Sequence, residues 1–340
     1  MTDLKIRYEQ MLHEMESLVK ITNKRSVLIL LQHTKQEETE PCIPAVRESI
    51  SNIIGFVSLG DEQYLPYIIG QAVGIVDTVM IDVDAKRANS EKIRLTATQL
   101  AKDNGIAVAY YSDYSTWISS AIAFMLEIEQ KNNGIVNYED KRLLIGRNAL
   151  ATKMVMEMIN RGMDVYLFAQ EYPTPCFPTT GGTIEIASPH IHIVDELSKT
   201  HFNTLIGCEL QQNSPYLDQL SNIRFEIIYD LGINNFTREF INQKRENGTQ
   251  VYRSDDRAGI SGIVVNLMET SELVKSRLGK TSIGGIPIVS GGYVGEQGDV
   301  VVDNYVDAHT VLGIANGDGT FKQTLTPEDE INLNRIKKLV

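Results

Sequence analysis

Three cysteines in 340 residues, Cys42, Cys176 and Cys208, are too few and too widely spaced for a disulfide framework or a CxxC metal site. No apolar run approaches the roughly 20 residues that cross a bilayer, so no membrane partner is expected. Runs of Lys or Arg are also missing. The 32 basic and 44 acidic residues leave a formal net charge of −12, and nucleic-acid affinity depends mainly on basic side chains that neutralise phosphates, so no nucleic-acid partner is expected. The stretch from Met1 to Tyr8 carries charges where a signal peptide needs an unbroken apolar core, which predicts a cytoplasmic protein. Neither a Gly-x-Ser-x-Gly elbow nor a P-loop spacing occurs, which lowers hydrolase and kinase readings. What is present is an ordinary globular composition, 42% hydrophobic and 22% charged, in a chain long enough for two domains with separate cores. A small molecule is the partner this leaves.

Leu4, Tyr8, Met11, Leu12, Met15, Leu18 and Val19 recur at helical spacing and predict an amphipathic opening helix. Short apolar runs at 26–31, 53–57, 78–82 and 106–111 have the β-branched and aromatic content of buried strands, spaced so that helices fit between them. A long helix is expected over 117–130, and Asn132, Asn133 and Gly134 break the chain after it. Residues 1–135 thus read as an N-terminal α/β domain that binds substrate.

The second domain, 136–280, opens on a strand, a tight turn at Gly146 and a helix, followed by a strand at 163–168. That unit places a helix N-terminus under a phosphate, which makes a dinucleotide the first ligand to consider. Only Gly146 stands where the full G-x-G-x-x-G fingerprint has three glycines. Further strands are expected at 184–187, 190–194, 204–207 and 225–230, with helices at 237–246 and 260–278, and the alternation predicts a doubly wound, parallel, Rossmann-like sheet. From Gly284 onward glycines punctuate short β-like runs, Asn316, Gly317, Asp318 and Gly319 signal a hairpin turn, and Thr326 and Pro327 start a last helix. Residues 281–340 read as a Gly-rich β extension with a C-terminal helix.

The segment Ile145-Gly146-Arg147-Asn148 resembles the cofactor loop of methylenetetrahydrofolate dehydrogenases, and Asp230, Gly232, Ile233 and Asn234 are similar to a segment that family has on a later strand. The stretch from Asp103 through Asp113 to Trp117 resembles the dehydrogenase that completes pyrrolysine biosynthesis. Together these resemblances imply the amino-acid-dehydrogenase-like group, in which a small α/β domain and a nicotinamide-binding domain enclose a cleft. The Tyr-x-x-x-Lys pair of the folate enzymes has no counterpart between residues 50 and 120. The resemblance implies NAD or NADP as cofactor and a small amino-acid-derived substrate, and such folds suggest a homo-oligomer.

Hydride transfer belongs to the nicotinamide, so the protein must place that ring against a substrate carbon and manage one proton. Candidates for the cofactor are Gly146, Arg147, Asn148, Glu171, Gly207, Asp230 and Gly232. Glu171 would accept bonds from a ribose diol and favour NAD, whereas Arg147 on a 2′-phosphate would favour NADP. Asp113 and His33 are the catalytic candidates, with Ser115 and Thr116 as substrate ligands or as local caps of the next helix. His190 and His192 share a strand face and Asp303, Asp307 and His309 form a loose cluster, but neither spacing assigns a metal. The expected function is an NAD(P)-dependent oxidoreductase. The alternative is a non-redox Rossmann-like protein that binds a nucleotide or metabolite as a sensor, assembly subunit or transferase.

Overall fold

The apolar runs of the N-terminal third become a sheet covered on its faces by helices. The computed structural model describes residues 2–340 apart from 211 and 255, and the chain divides into two compact units, Met1–Val264 and Val265–Val340. In the first unit, β1 (Arg25–Gln32), β2 (Arg47–Glu48), β3 (Asn52–Leu59), β4 (Thr78–Asp82) and β5 (Ala107–Tyr111) form one sheet in the order β2-β3-β1-β4-β5. Its strands are parallel except the two-residue β2, which runs antiparallel on the edge. Residues 27–30 of β1 are buried throughout, as a parallel strand covered on both faces requires. The helix α1 (Thr2–Thr22) contributes Tyr8, Met11 and Met15 to that core, and α2 (Leu65–Ala72) and α3 (Ser90–Asp103) add Ile68, Ile69, Ile93 and Ala97.

The exit helix α4 (Asp113–Asn133) starts four residues earlier than its apolar pattern indicates, because Ser112 caps it by accepting the Ser115 amide at 3.2 Å. It leads into the second sheet, whose strands are β6 (Arg142–Ile145), β7 (Val165–Phe168), a hairpin of β8 (Cys176–Thr179) and β9 (Gly182–Glu185), then β10 (Ile191–Val194), β11 (Thr204–Gly207), β12 (Ile227–Asp230) and β13 (Gln250–Arg253). The sheet order is β10-β7-β6-β11-β12-β13, and every pair in it is parallel. Counted along the chain without the hairpin, that is 3-2-1-4-5-6, the order of the dinucleotide-binding Rossmann sheet.

The helices α5 (Ala149–Ile159), α6 (Leu217–Ser221), α7 (Arg238–Glu246) and α8 (Arg257–Glu272) connect these strands or follow them. One expected strand went elsewhere: the 184–187 run pairs antiparallel with β8 instead of joining the sheet. Pro173, Pro175 and Pro178 lack ladder donors, and Gly181 and Gly182 supply a turn, so this segment suits an isolated hairpin better than an interior strand. The helix expected at 260–278 also differs, beginning at Arg257 and ending at Glu272, with a π turn over Leu273–Arg277.

A buried lysine closes α6. Lys244, 2% exposed, donates to the carbonyls of Leu220, Ser221 and Ile223 at 2.7, 2.8 and 2.5 Å, so one ammonium satisfies the C-terminal carbonyls of a helix too short to cap itself. Lys244→Met is expected to lower stability by about 2–3 kcal/mol, because those acceptors become buried and unpaired. Urea unfolding checks this, and a loss below about 0.5 kcal/mol would refute the capping role.

The second unit carries β14 (Lys280–Ile283), β15 (Ile286–Ser290), β16 (Val300–Val302) and β17 (Val311–Ile314), in that order in the sheet. The helix α9 (Pro327–Ile336) brings Ile336 against Ile288, Val300 and Ile314. Its start is a capping box: Thr326 accepts the Asp329 amide and Asp329 accepts the Thr326 amide. The expected turn also forms, with Ala315 bridging to Phe321 and positive φ at Gly317 and Gly319.

Candidate functional site

Open α/β sheets bind ligands at the carboxyl ends of their strands, where the strand order reverses. The first sheet reverses between β1 and β4, and the end of each strand carries chemistry. β4 ends in Asp82, and the turn after it supplies Asp84 and Lys86. The Lys86 side chain is 1% exposed, with Nζ 2.8 Å from Asp82 Oδ2 and 2.5 Å from Asp113 Oδ2. It also lies 4.7 Å from the centre of the Tyr114 ring. Burial alone would lower the Lys86 ammonium, yet the charges of Asp113 and Asp82 raise it above the ordinary lysine value. Burial raises the Asp82 carboxyl to about 6, against the pull of Lys86. Lys86 is therefore a fixed cation at neutral pH, and Asp82 is the group beside it that burial brings nearer to titration.

Lys86 and Asp113 face a cavity of about 190 Å³ lined also by Gln32, His33 and Thr34 from β1 and the turn after it, by Arg47 and Trp117, by Ile233 from the turn after β12, and by Asp256 and Ile260 from beyond β13. The cavity thus lies between the two α/β domains of the first unit. Gln32 is 5% exposed. Its Nε2 is fixed by the carbonyls of Asp82 and Asp84, both at 3.1 Å, so its Oε1 has a defined direction, and among the described residues neither that atom nor Thr34 Oγ1 has a hydrogen-bond partner. Two buried oxygens without partners beside a cation and a carboxylate suit a small ligand that carries both hydrogen-bond donors and an anionic group.

In the second sheet the order reverses between β6 and β11. Gly146 follows β6 with φ +110, and a Cβ there would stand 2.6 Å from the Cys208 carbonyl carbon, so only glycine lets the turn approach β11. Asn148 caps α5 through the amides of Leu150 and Ala151 at 3.0 and 3.1 Å, while its Nδ2 donates to the Cys208 carbonyl at 2.8 Å. Ahead of that cap, the amides of Arg147, Asn148 and Ala149 make no backbone hydrogen bond among the described residues, which leaves three donors at the head of a helix.

Glu171, 7% exposed, accepts the Gly146 amide on both oxygens at 3.0 and 3.1 Å. Burial raises it to about 7, the Gly146 amide opposes the rise, and the charge of Glu209 and the hydrogen bond between the two carboxyls add to it. Gly232 has no room for a Cβ, which would fall 1.8 Å from the Glu209 carbonyl oxygen. Ile233 and Asn234, next in that turn, have φ of 68° and 65°. A β-branched residue in the left-handed region is strained, and this one borders the cavity.

Neither a family model nor a curated protein matches the chain. Solved structures similar to it include glutamate dehydrogenase from Peptoniphilus asaccharolyticus (14% identity, TM-score 0.43, covering 73% of this chain and 69% of that one). The hetero-hexameric glutamate dehydrogenase from Thermus thermophilus matches at 10% identity and TM-score 0.41, covering 74% and 69%. D-lactate dehydrogenase from Escherichia coli matches at 11% identity and TM-score 0.30, covering 74% and 97%. Likeness at this level carries no information on activity. It is the strand order that defines the fold as an N-terminal α/β domain followed by a Rossmann-like domain.

The candidate residues of the sequence fall into three groups. Asp113 faces the cavity and pairs with Lys86, whereas Ser115 and Thr116 are engaged locally. Ser115 Oγ takes bonds from Ser112 and Lys153, and Thr116 Oγ1 donates to the Ser112 carbonyl at 2.9 Å, as capping residues do. His33 also lines the cavity, with Nε2 2.8 Å from the Glu40 carbonyl and Nδ1 3.1 Å from Ser58 Oγ. Gly146, Arg147, Asn148 and Glu171 gather at the second reversal point. Gly207 and Asp230 end neighbouring strands there, and Gly207 serves close packing, since a Cβ would meet Asn235 and Phe236.

Asp164 Oδ1 lies 3.0 Å from His190 Nδ1 and 3.2 Å from His192 Nε2. No cluster of three or more His, Cys, Asp or Glu able to hold a metal occurs among the described residues. The reading of the sequence passed over Lys86, Asp82, Gln32, Arg47 and Glu209. For the first two a signal existed: the run Asp82-Val83-Asp84-Ala85-Lys86 puts three ionisable residues at and just after the end of a buried strand.

Proposed function

We propose that the chain is an NAD-linked oxidoreductase acting on a small amino-acid-derived substrate in the cavity between its two α/β domains. The observation that carries this reading is the Rossmann strand order with its reversal point at Gly146, where three amides with no backbone partner among the described residues head α5 and Glu171 is fixed beside them. The amides fit a pyrophosphate. Glu171, held by the Gly146 amide, keeps acceptor capacity for a ribose diol and repels a 2′-phosphate, which favours NAD over NADP. A separate cavity of about 580 Å³ opens beside Phe168 and Gln170 at the end of β7, next to the half of the sheet that serves the adenosine end of such cofactors.

When bound, the cofactor supplies hydride exchange. The chain's own residues then have distinct tasks. Lys86 Nζ, kept charged by Asp82 and Asp113, donates to an electronegative atom of the substrate and stabilises negative charge that develops there. Asp113, the more exposed of its two partners, accepts the proton that leaves the substrate nitrogen or oxygen. Arg47, 3.0 Å from Asp256, is placed to take a carboxylate, and Gln32 Oε1 and Thr34 Oγ1 to take the donors of an amino group.

Titration of the protein with NADH and NADPH, followed by nicotinamide fluorescence and thermal midpoint, tests this directly. NADH is expected to bind in the micromolar range and raise the midpoint. Gly146→Val should abolish that binding and lower stability by about 3 kcal/mol or more, because the new side chain meets backbone and the φ is unfavourable. If neither nucleotide binds, or Gly146→Val binds NADH like the wild type, the reading is wrong. The fixed charge of Lys86 favours a second reading, a Rossmann-like protein that binds a nucleotide or metabolite without redox chemistry. Binding of NADH with no hydride exchange on any 2-oxo acid and ammonium pair would favour it.

A further inference from the structure

Three basic side chains line the cavity beside Lys86, and two of them are already engaged. Lys86 itself is held by the carboxylates of Asp82 and Asp113. His33 has its Nε2 at the Glu40 carbonyl and its Nδ1 at Ser58 Oγ. Arg47 differs. Among the described residues its side chain makes one hydrogen bond, from Nη1 to Asp256 Oδ1 at 3.0 Å, although a guanidinium carries five N–H donors. The Phe56 ring lies 4.7 Å from its central carbon and covers one face. Further polar contacts must therefore come at the edge of the group, where a carboxylate binds through two parallel bonds.

The partner of Arg47 comes from the other domain. Arg47 stands on the two-residue edge strand β2 of the first sheet, whereas Asp256 follows β13 of the second, 209 residues further on. Both line the cavity. Each side chain is 35% exposed, so water reaches the pair, and ion pairs of that kind are weakly held. Lys86, at 1% exposed, is a fixed part of the wall; the bond between Arg47 and Asp256 is open to exchange.

We propose that Asp256 occupies Arg47 in place of a ligand carboxylate, and that a small α-amino acid binds as its zwitterion by taking over the guanidinium and leaving Asp256 to face its ammonium. This rests on the reading of the cavity as the substrate site, and not on the dinucleotide site at Gly146. The incoming carboxylate replaces one bond to Arg47 with two, so the guanidinium is never left unpaired. The displaced Asp256 then stands beside a second carboxylate in a partly buried space, where like charges repel more strongly than in water. An ammonium on the ligand removes that repulsion, and a bare carboxylate does not. The neutral groups of the wall point the same way. Gln32 is 5% exposed, and among the described residues its Oε1 and Thr34 Oγ1 have no partner, while an ammonium has three donors to give. The cavity of about 190 Å³ corresponds to about six waters at roughly 30 Å³ each, which limits the ligand to a small amino acid.

Asp256 is thus a specificity-determining residue. It favours an amino acid over the 2-oxo acid of the same skeleton, which carries the carboxylate without the ammonium. In Asp256→Asn the 2-oxo acid gains twice, because the guanidinium is no longer occupied and no carboxylate opposes the ligand. The amino acid gains the free guanidinium but loses the partner of its ammonium, so its affinity changes little. A merely structural role for Asp256 would weaken both ligands together.

The test is calorimetric titration of the wild type, Asp256→Asn and Arg47→Met with three pairs of probes: racemic alanine and pyruvate, racemic 2-aminobutyrate and 2-oxobutyrate, racemic valine and 3-methyl-2-oxobutanoate. Each is titrated without nucleotide and again with NAD in excess. The wild type is expected to bind at least one amino acid about tenfold or more tightly than its 2-oxo acid. Asp256→Asn should bind that 2-oxo acid about tenfold or more tightly than the wild type does, with the amino acid unchanged within about threefold. Arg47→Met should lose about tenfold or more for both. The thermal midpoint of ligand-free Asp256→Asn should stay within a few degrees of wild type, since the pair is half-exposed. Equal wild-type affinity for both members of every pair, or a 2-oxo acid affinity that stays level or falls in Asp256→Asn, overturns the proposal and leaves the cavity as the substrate site. No binding of any of the six probes, with or without NAD, overturns both. If NAD itself fails to bind while the amino acid pattern holds, the dinucleotide reading falls and the role of Asp256 stands.

Discussion

Glu129→Ala is expected to lower the unfolding free energy by about 3–5 kcal/mol, the range for stripping one partner from a buried ion pair. Arg142 is fully buried and Glu129 is 1% exposed. The guanidinium meets the carboxylate at two points, Nη2 to Oε2 at 2.8 Å and Nε to Oε1 at 3.3 Å, and spends its remaining donors on the carbonyls of Asn137, Asp140 and Tyr138 at 2.7, 3.0 and 3.4 Å. Removing Glu129 leaves a guanidinium charge in the core with only neutral acceptors. The position of the pair multiplies the effect. Glu129 lies on α4, which leaves the first sheet, and Arg142 heads β6, which begins the second, so the pair ties the connecting helix to the first strand of the Rossmann-like sheet. The double substitution Glu129→Leu with Arg142→Met should recover much of the loss, since it removes the stranded charge as well. Urea unfolding of the three variants decides the matter. A single-variant loss under about 1 kcal/mol would mean that water reaches the guanidinium and that the pair is not a latch.

The elements that the sequence disclosed are those whose reasons are local. Thr237 caps α7 and accepts the Phe240 amide at 3.2 Å, Thr326 and Pro327 start α9, and Gly134 ends α4 at φ +76; each is a residue type suited to its own backbone position. Buried parallel strands were legible for the same reason, since they must be apolar along their whole length. The hairpin of β8 and β9 was misplaced because the apolar content at 184–187 does not say which strand it pairs with, and the prolines that decide it lie earlier in the chain. The site divides along the same line. Gly146, Glu171 and Asp113 stand at strand ends, where position alone raises interest. Gln32 and Arg47 acquire their roles from partners far away in sequence: Gln32 from Asp82 and Asp84, Arg47 from Asp256. No spacing rule connects those residues. Lys86 lies between the two cases, four residues after Asp82 and thus partly legible, with its second partner Asp113 27 residues further on.

Lys86→Met should separate chemistry from cofactor binding. The substitution keeps the length of the side chain and removes the positive charge that the carboxylates of Asp82 and Asp113 both reach. Turnover is expected to fall by about 10²–10³-fold, the effect of losing a preorganised charge where charge develops in the reaction. NADH affinity should be unchanged within a factor of about two, because Lys86 and the Gly146 turn share no hydrogen-bond or ion-pair partner among the described residues. Stability should respond to pH in a defined direction. The Asp82 carboxyl is already raised by burial to about 6, against the pull of Lys86, and without the ammonium it rises further. A carboxyl whose folded pKa lies above its unfolded value stabilises the fold at low pH and loses that contribution as pH rises through the folded value. The variant should thus be near wild-type stability at about pH 5 and fall behind by about 3 kcal/mol at about pH 8. Lys86→Arg, which restores the charge on a larger, planar group, should recover most of the stability and little of the turnover, since the position of the donor and not only its charge serves the substrate. The experiment pairs unfolding at the two pH values with NADH consumption on 2-oxo acids and ammonium. A stability deficit that is the same at both pH values would mean that Lys86 only fills space. Turnover that survives in Lys86→Met would remove Lys86 from the chemistry and leave Asp113 to act without it.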